Sequence, residues 1–146
     1  MIKEEVKASF ISQSKTKNSE SKKWENFSTA EKIEASQNRF EVQFGTNKVS
    51  QLMRNSLINI IEFSKSNNIV IIGLKFPVDG EYLKIINGMN FYADLVLENA
   101  GYEVWDYSSY FSDRSQFFND QDHLNNDGAN ILSQEILSRK RQRTFD

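Results

Sequence analysis

Apolar positions are scattered in the first third of the chain and periodic in the remainder. Residues 1–47 are rich in Lys, Glu, Ser and Asn, and stretches such as residues 12–20 carry too little apolar surface to offset chain entropy. Residues 1–22 read as mobile or weakly helical. Ser28 and Glu31 then have the spacing of a capping box opening a helix, with Ile33 and Phe40 expected to point inward. From Lys48 the pattern changes: Leu52, Met53, Ser56, Leu57, Ile60, Ile61 and Phe63 recur at helical spacing, and Asn67–Asn68 closes that helix. Residues 69–72 form a short apolar run without alternation, which predicts a strand buried on both faces of a parallel sheet. Pro77 ends the strand region, since proline cannot donate to a central ladder.

Glu81 to about Asn99 predicts a second helix, with Leu83, Ile86, Tyr92, Leu95 and Val96 on its apolar stripe and Ala100–Gly101 as its stop. Tyr102 to Tyr107 predicts a second strand, residues 108–122 a loop, and about Asn125 to Arg139 a last helix. A strand–helix–strand unit implies a parallel pair with a right-handed crossover. In open α/β sheets, sites gather beyond the carboxyl ends of the strands, where Pro77 and the loop after Tyr107 both fall. The organisation expected is a polar N-terminal segment over 1–47, partly disordered or helical, and a partial α/β domain over 48–146.

Composition narrows the chemistry. With 146 residues, 18 basic against 20 acidic side chains and a net charge of -2, the chain has no basic excess for nucleic acid. It has no cysteine, which excludes disulfides, thiol nucleophiles and Cys-ligated zinc. There is no apolar signal core at Met1–Val6, and no apolar run approaches the ~20 residues of a membrane helix. The sequence as written therefore predicts neither export signal nor membrane segment.

The segment from Phe117 to Ala129 holds the only histidine. Asp120 precedes His123 by three residues, and in a turn residues i and i+3 come within about 7 Å. Such a carboxylate holds an imidazole by one nitrogen and fixes its tautomer, leaving the other nitrogen to take a proton from a hydroxyl nucleophile. Ordinary imidazoles titrate near pH ~6.5, which suits both giving and taking a proton. Asn125 or Asn126 can cap the final helix, with Asp127 in its first turn. A polar turn with a helix cap would account for the same residues. The rhythm His123, Asn125, Asp127, Gly128 and Gln134 has the spacing of an EF-hand loop but fails at its first and last ligands. A cluster of Asp122, Asp127 and His123 is weak support for another metal, and Asp122 reads as a solvated neighbour. Phe117 and Phe118 read as core or pocket wall, and Tyr82 and Lys75 as site lining or surface packing. The basic tract Arg139–Arg143 suits the C-terminal end of a helix dipole.

Asp120, His123, Leu124, Asn125 and Gly128, in the order Asp-x-x-His-Leu-Asn-x-x-Gly, resemble the last block of the SGNH (GDSL-like) hydrolase and acyltransferase superfamily. Phe118 before the block, Ala129 after it, and residues 69–77 followed by Tyr82 fit the same likeness, which covers roughly residues 48–139. It is closest to members related to bacterial cell-envelope acyl transfer. The resemblance implies the C-terminal part of a flavodoxin-like three-layer α/β/α sandwich, with Asp120 orienting and His123 acting as general base. It implies no cofactor and no metal. The family's serine nucleophile in a Gly-Asp-Ser block, and its oxyanion-hole glycine and asparagine, have no counterpart here: no serine follows a Gly-Asp pair. The chain thus resembles a C-terminal portion or half of an ester hydrolase or O-acyltransferase, inactive alone. A non-catalytic remnant or interaction module is the competing expectation. The partners expected are the missing N-terminal half of the domain, or a second copy through an exposed strand edge.

Overall fold

The computed structural model describes residues 22–45, 50–87 and 92–143. The expectation for residues 1–22 falls, but for Lys22, outside the described residues. The fold is mixed α/β: α1 (Thr29–Phe44), α2 (Gln51–Ser66), β1 (Ile72–Lys75), α3 (Gly80–Ile86), α4 (Ala93–Asn99), β2 (Glu103–Asp106) and α5 (Asn126–Arg143). Single 3₁₀ turns lie at Trp24–Asn26 and Ser115–Phe117. Among the described residues the sheet has two strands, parallel, with Ile72 opposite Glu103 and Lys75 opposite Asp106. No helix among them is long and apolar enough to cross a membrane.

The capping box of α1 is formed. Ser28 Oγ accepts from the Glu31 N–H at 3.3 Å, and Glu31 Oε2 accepts from the Ser28 N–H at 2.7 Å. Lys22 Nζ donates to the same carboxylate at 2.8 Å, and together these contacts lower Glu31 from 4.5 to about 2. The inward face of α1 differs from the expectation. Ile33 sits at the surface and Phe40 is half-buried against Phe44, while Ser36 and Ala35 face inward. Small side chains there let α1 pack against α3.

Helix α2 ends as its sequence predicts. Asn68 adopts a left-handed φ of 55°, Ile69 N–H donates to Ser64 O at 2.8 Å and Asn68 N–H to Lys65 O at 3.3 Å, a Schellman closure. That closure corrects the strand expectation. It keeps residues 68 and 69 in the helix exit, so β1 begins at Ile72 rather than Ile69, and Val70 is 71% exposed. The strand is not enclosed on both faces: Leu74 within it is exposed, as is Phe76 just beyond its end. Gly73 lies where α4 crosses closest, and a Cβ there would stand 2.8 Å from Leu97 Cδ1.

The single helix expected over 81–99 is two helices. Asn87 leaves the helical region at ψ 124°, and Tyr92 precedes α4 with φ 61°. Asn87 is followed by Gly88, a breaker pair within the apolar stripe.

The core gathers behind the sheet: Trp24, Trp105, Tyr107, Phe111, Phe118 and Leu132 form one cluster, with Phe27 and Ile72 packed on it. Phe111 is fully enclosed, its ring 4.9 Å from Phe117 and edge-on to Phe118 at 6.3 Å. Burial of one such side chain contributes ~2–3 kcal/mol. Trp24 and Phe27 lie before residue 47, so the polar N-terminal segment places aromatic rings in the core. At the other end, Arg139 stacks 4.6 Å over Trp105 and Arg143 pairs with Glu103 at 2.9 Å, so the basic tract serves to dock α5.

Candidate functional site

The loops that leave the carboxyl ends of β1 and β2 are bolted together. Val78 N–H donates to Ser108 O at 3.1 Å and Asp79 N–H to Gln121 O at 2.9 Å. Asp79 is the buried centre of this junction. Its Oδ1 caps α3 through the Glu81 N–H at 3.1 Å, and its Oδ2 accepts from Trp24 Nε1 at 3.0 Å and Ser115 Oγ at 2.6 Å.

Beyond the junction, residues 119–123 form a tight loop. Asn119 N–H donates to His123 O at 2.8 Å and Asn125 N–H to Phe117 O at 2.9 Å, around the bridge between Phe118 and Leu124. Asp120 holds the loop from inside: its Oδ1 accepts the Asp122 N–H at 3.1 Å and the His123 N–H at 2.9 Å. Both its oxygens also face His123 Nδ1, at 2.9 and 3.0 Å. Burial pushes the Asp120 carboxyl upward, but the Asp122 N–H and the His123 ring and N–H outweigh it and hold the group below its ordinary value. The ring itself is 61% exposed at its side chain, and among the described residues no hydroxyl is hydrogen-bonded to Nε2.

Asp122 departs from the solvated neighbour expected of it. Its side chain is only 14% exposed. Its Oδ2 accepts from Arg39 Nε at 2.9 Å, Arg39 Nη2 at 2.8 Å and Gln43 Nε2 at 3.0 Å. Its Oδ1 takes Gln121 Nε2 at 3.2 Å and stands 3.3 Å from His123 Nδ1. The ring therefore sees Asp120 first and Asp122 second. The Asp122 hydrogen bond raises Arg39 above its ordinary value. Tyr82 lies buried beneath and donates its hydroxyl to Gln43 Oε1; burial raises it, with Asp122 adding and Arg39 opposing.

Asp120, Asp122 and His123 offer ligand atoms within 4.8 Å of one another, whereas Asp127 belongs to the first turn of α5 and lies outside that group. The EF-hand spacing comes to nothing, because Asn125 spends its side chain on the Gly128 N–H at 3.0 Å and Gln116 O at 2.7 Å. Lys75 pairs with Asp106 at 2.7 Å on the strand surface.

Asp120, His123 and Tyr82 were legible in the sequence; Arg39, Gln43, Asp79 and Trp24 were not. The one signal for Arg39 and Gln43 is their i, i+4 spacing on α1, and nothing in it names a partner 83 residues away. Comparison with protein-family models, with curated proteins and with solved structures gives no match.

Proposed function

We propose that this chain supplies the histidine–carboxylate half of a serine-dependent acyl-transfer site of the SGNH type. In that reading the two-stranded unit is the C-terminal part of a flavodoxin-like three-layer α/β/α sandwich. The observation that carries it is the Asp120 carboxylate on Nδ1 of His123, with no hydrogen bond to Nε2 among the described residues. Asp120 holds the proton on Nδ1, so Nε2 keeps a lone pair. That lone pair accepts the proton of a hydroxyl as its oxygen attacks an ester carbonyl. The imidazolium, stabilised by Asp120, then returns the proton to the departing alkoxide.

The nucleophile comes, in this proposal, from another polypeptide segment. Ser115 is engaged with Asp79 and Ser108 with Asp106, the latter at 2.6 Å. The purified chain alone is expected to leave activated acetyl esters intact. Turnover abolished by a serine-directed fluorophosphonate would mean that a nucleophile lies within it.

The second reading is a non-catalytic interaction module. It is favoured by the absence of a hydroxyl bonded to Nε2 among the described residues. Imidazole nitrogen NMR separates the tautomer claim from a mere helix cap. The proposal requires a proton on Nδ1 and a bare Nε2 once the ring is neutral; an Nε2–H tautomer overturns it.

A further inference from the structure

We infer that Arg39 is a positioning residue for His123: it pairs with and offsets the charge of Asp122 beside the ring, so that the imidazole can return to its neutral, proton-accepting form. The inference rests on the general-base role proposed above. Two carboxylates reach Nδ1, Asp120 at 2.9 Å and Asp122 at 3.3 Å. One carboxylate orients and stabilises an imidazolium; two free ones would keep the ring cationic, with no lone pair for a hydroxyl proton. Asp122 is not free. Arg39 grips its Oδ2 through both Nε and Nη2, Gln43 adds a third donor to that oxygen, and Gln121 engages Oδ1.

The charged and titratable groups around the ring come from three places. They are Arg39 on α1, Tyr82 on α3, and Asp120 and Asp122 on the loop. Among the described residues only Arg39 of these is cationic, and it is placed to offset the second carboxylate. Helix α1 is thereby coupled to the chemistry of a loop 83 residues downstream.

The test is the titration midpoint of His123 followed by NMR in the full chain. Arg39→Met is expected to raise it by about one pH unit, as an uncompensated carboxylate does beside a base. Arg39→Lys, which keeps the charge, should leave it near the parent value. In an Asp122→Asn background the Arg39→Met effect should largely vanish; an equal rise there, or none in the parent background, overturns the assignment. Should Arg39→Met not fold, the comparison of single carboxylate variants decides. Asp120→Asn should lower the midpoint clearly and Asp122→Asn only slightly, and equal falls would show that Arg39 does not neutralise Asp122. Because ring titration is read rather than turnover, a failure here leaves the acyl-transfer proposal standing. Loss of any Asp120→Asn effect would instead sink the pair on which both depend.

Discussion

At the scale of single residues, the loop at 119–123 is built so that one carboxylate does two jobs. Asp120 closes the turn by accepting two backbone N–H groups and meets the ring with both oxygens. Its carboxyl is held low, so the charged form favours the folded state. The sign follows: the contribution is complete above the ordinary value of 3.8 and fades as pH falls through the lower folded value. Asp120→Asn should therefore flatten the acid limb of the stability curve below about pH 4. An unchanged limb in denaturant melts run from pH 6 to 2 would show that the carboxylate is not engaged in solution. A second residue is equally constrained. A Cβ on Gly128 would stand 2.4 Å from Phe117 O, a carbonyl already accepting the Asn125 N–H. Gly128→Ala is expected to cost about 1–3 kcal/mol by overpacking, and an unchanged denaturation midpoint would contradict that.

Elements show where sequence patterning holds and where it breaks. The capping box of α1 and the closure of α2 were legible because they depend on neighbours within a turn: Ser28 with Glu31, and Asn67–Asn68 with Ser64. The parallel pairing of β1 and β2 also followed from the strand–helix–strand order. The start of β1 did not. Apolarity alone cannot separate residues that exit a helix from residues that enter a ladder, so Ile69 and Val70 read as strand and stand exposed instead. At the site, Asp120 and His123 were legible through their short spacing, whereas Asp122–Arg39 and Asp79–Trp24 pair residues 83 and 55 positions apart. Local acid–base chemistry at α1 yields its own test. Lys22 first, then Ser28, depress Glu31 to about 2, so the cap is fully formed above its ordinary value of 4.5 and is lost as pH falls through about 2. Ser28→Ala should cost about 1 kcal/mol at neutral pH. Glu31→Gln should remove that pH dependence between 4.5 and 2, read from helix content, and a variant tracking the parent would refute the cap's role.

Across the whole molecule, apolar side chains are divided unevenly between inside and outside. The aromatic cluster around Phe111 holds Trp24, Trp105, Tyr107, Phe118 and Leu132 together, and so joins the N-terminal segment to the loop that carries His123. Helix α2 and the residues flanking β1 instead leave Leu52, Met53, Phe63, Val70 and Phe76 mostly exposed. Exposed apolar positions add little to folding free energy, because they lose little water contact on folding, and they favour association. Two variants should then behave in opposite ways. Phe111→Ala removes a fully enclosed ring and is expected to cost about 3–5 kcal/mol, a large share of the stability of a domain this size. Phe63→Gln, at a position 63% exposed, should shift stability by less than about 0.5 kcal/mol while lowering the scattering of concentrated solutions. Denaturant titration and light scattering on the two variants decide the matter. If Phe63→Gln destabilises as much as Phe111→Ala, the face of α2 is buried in solution and belongs to the core.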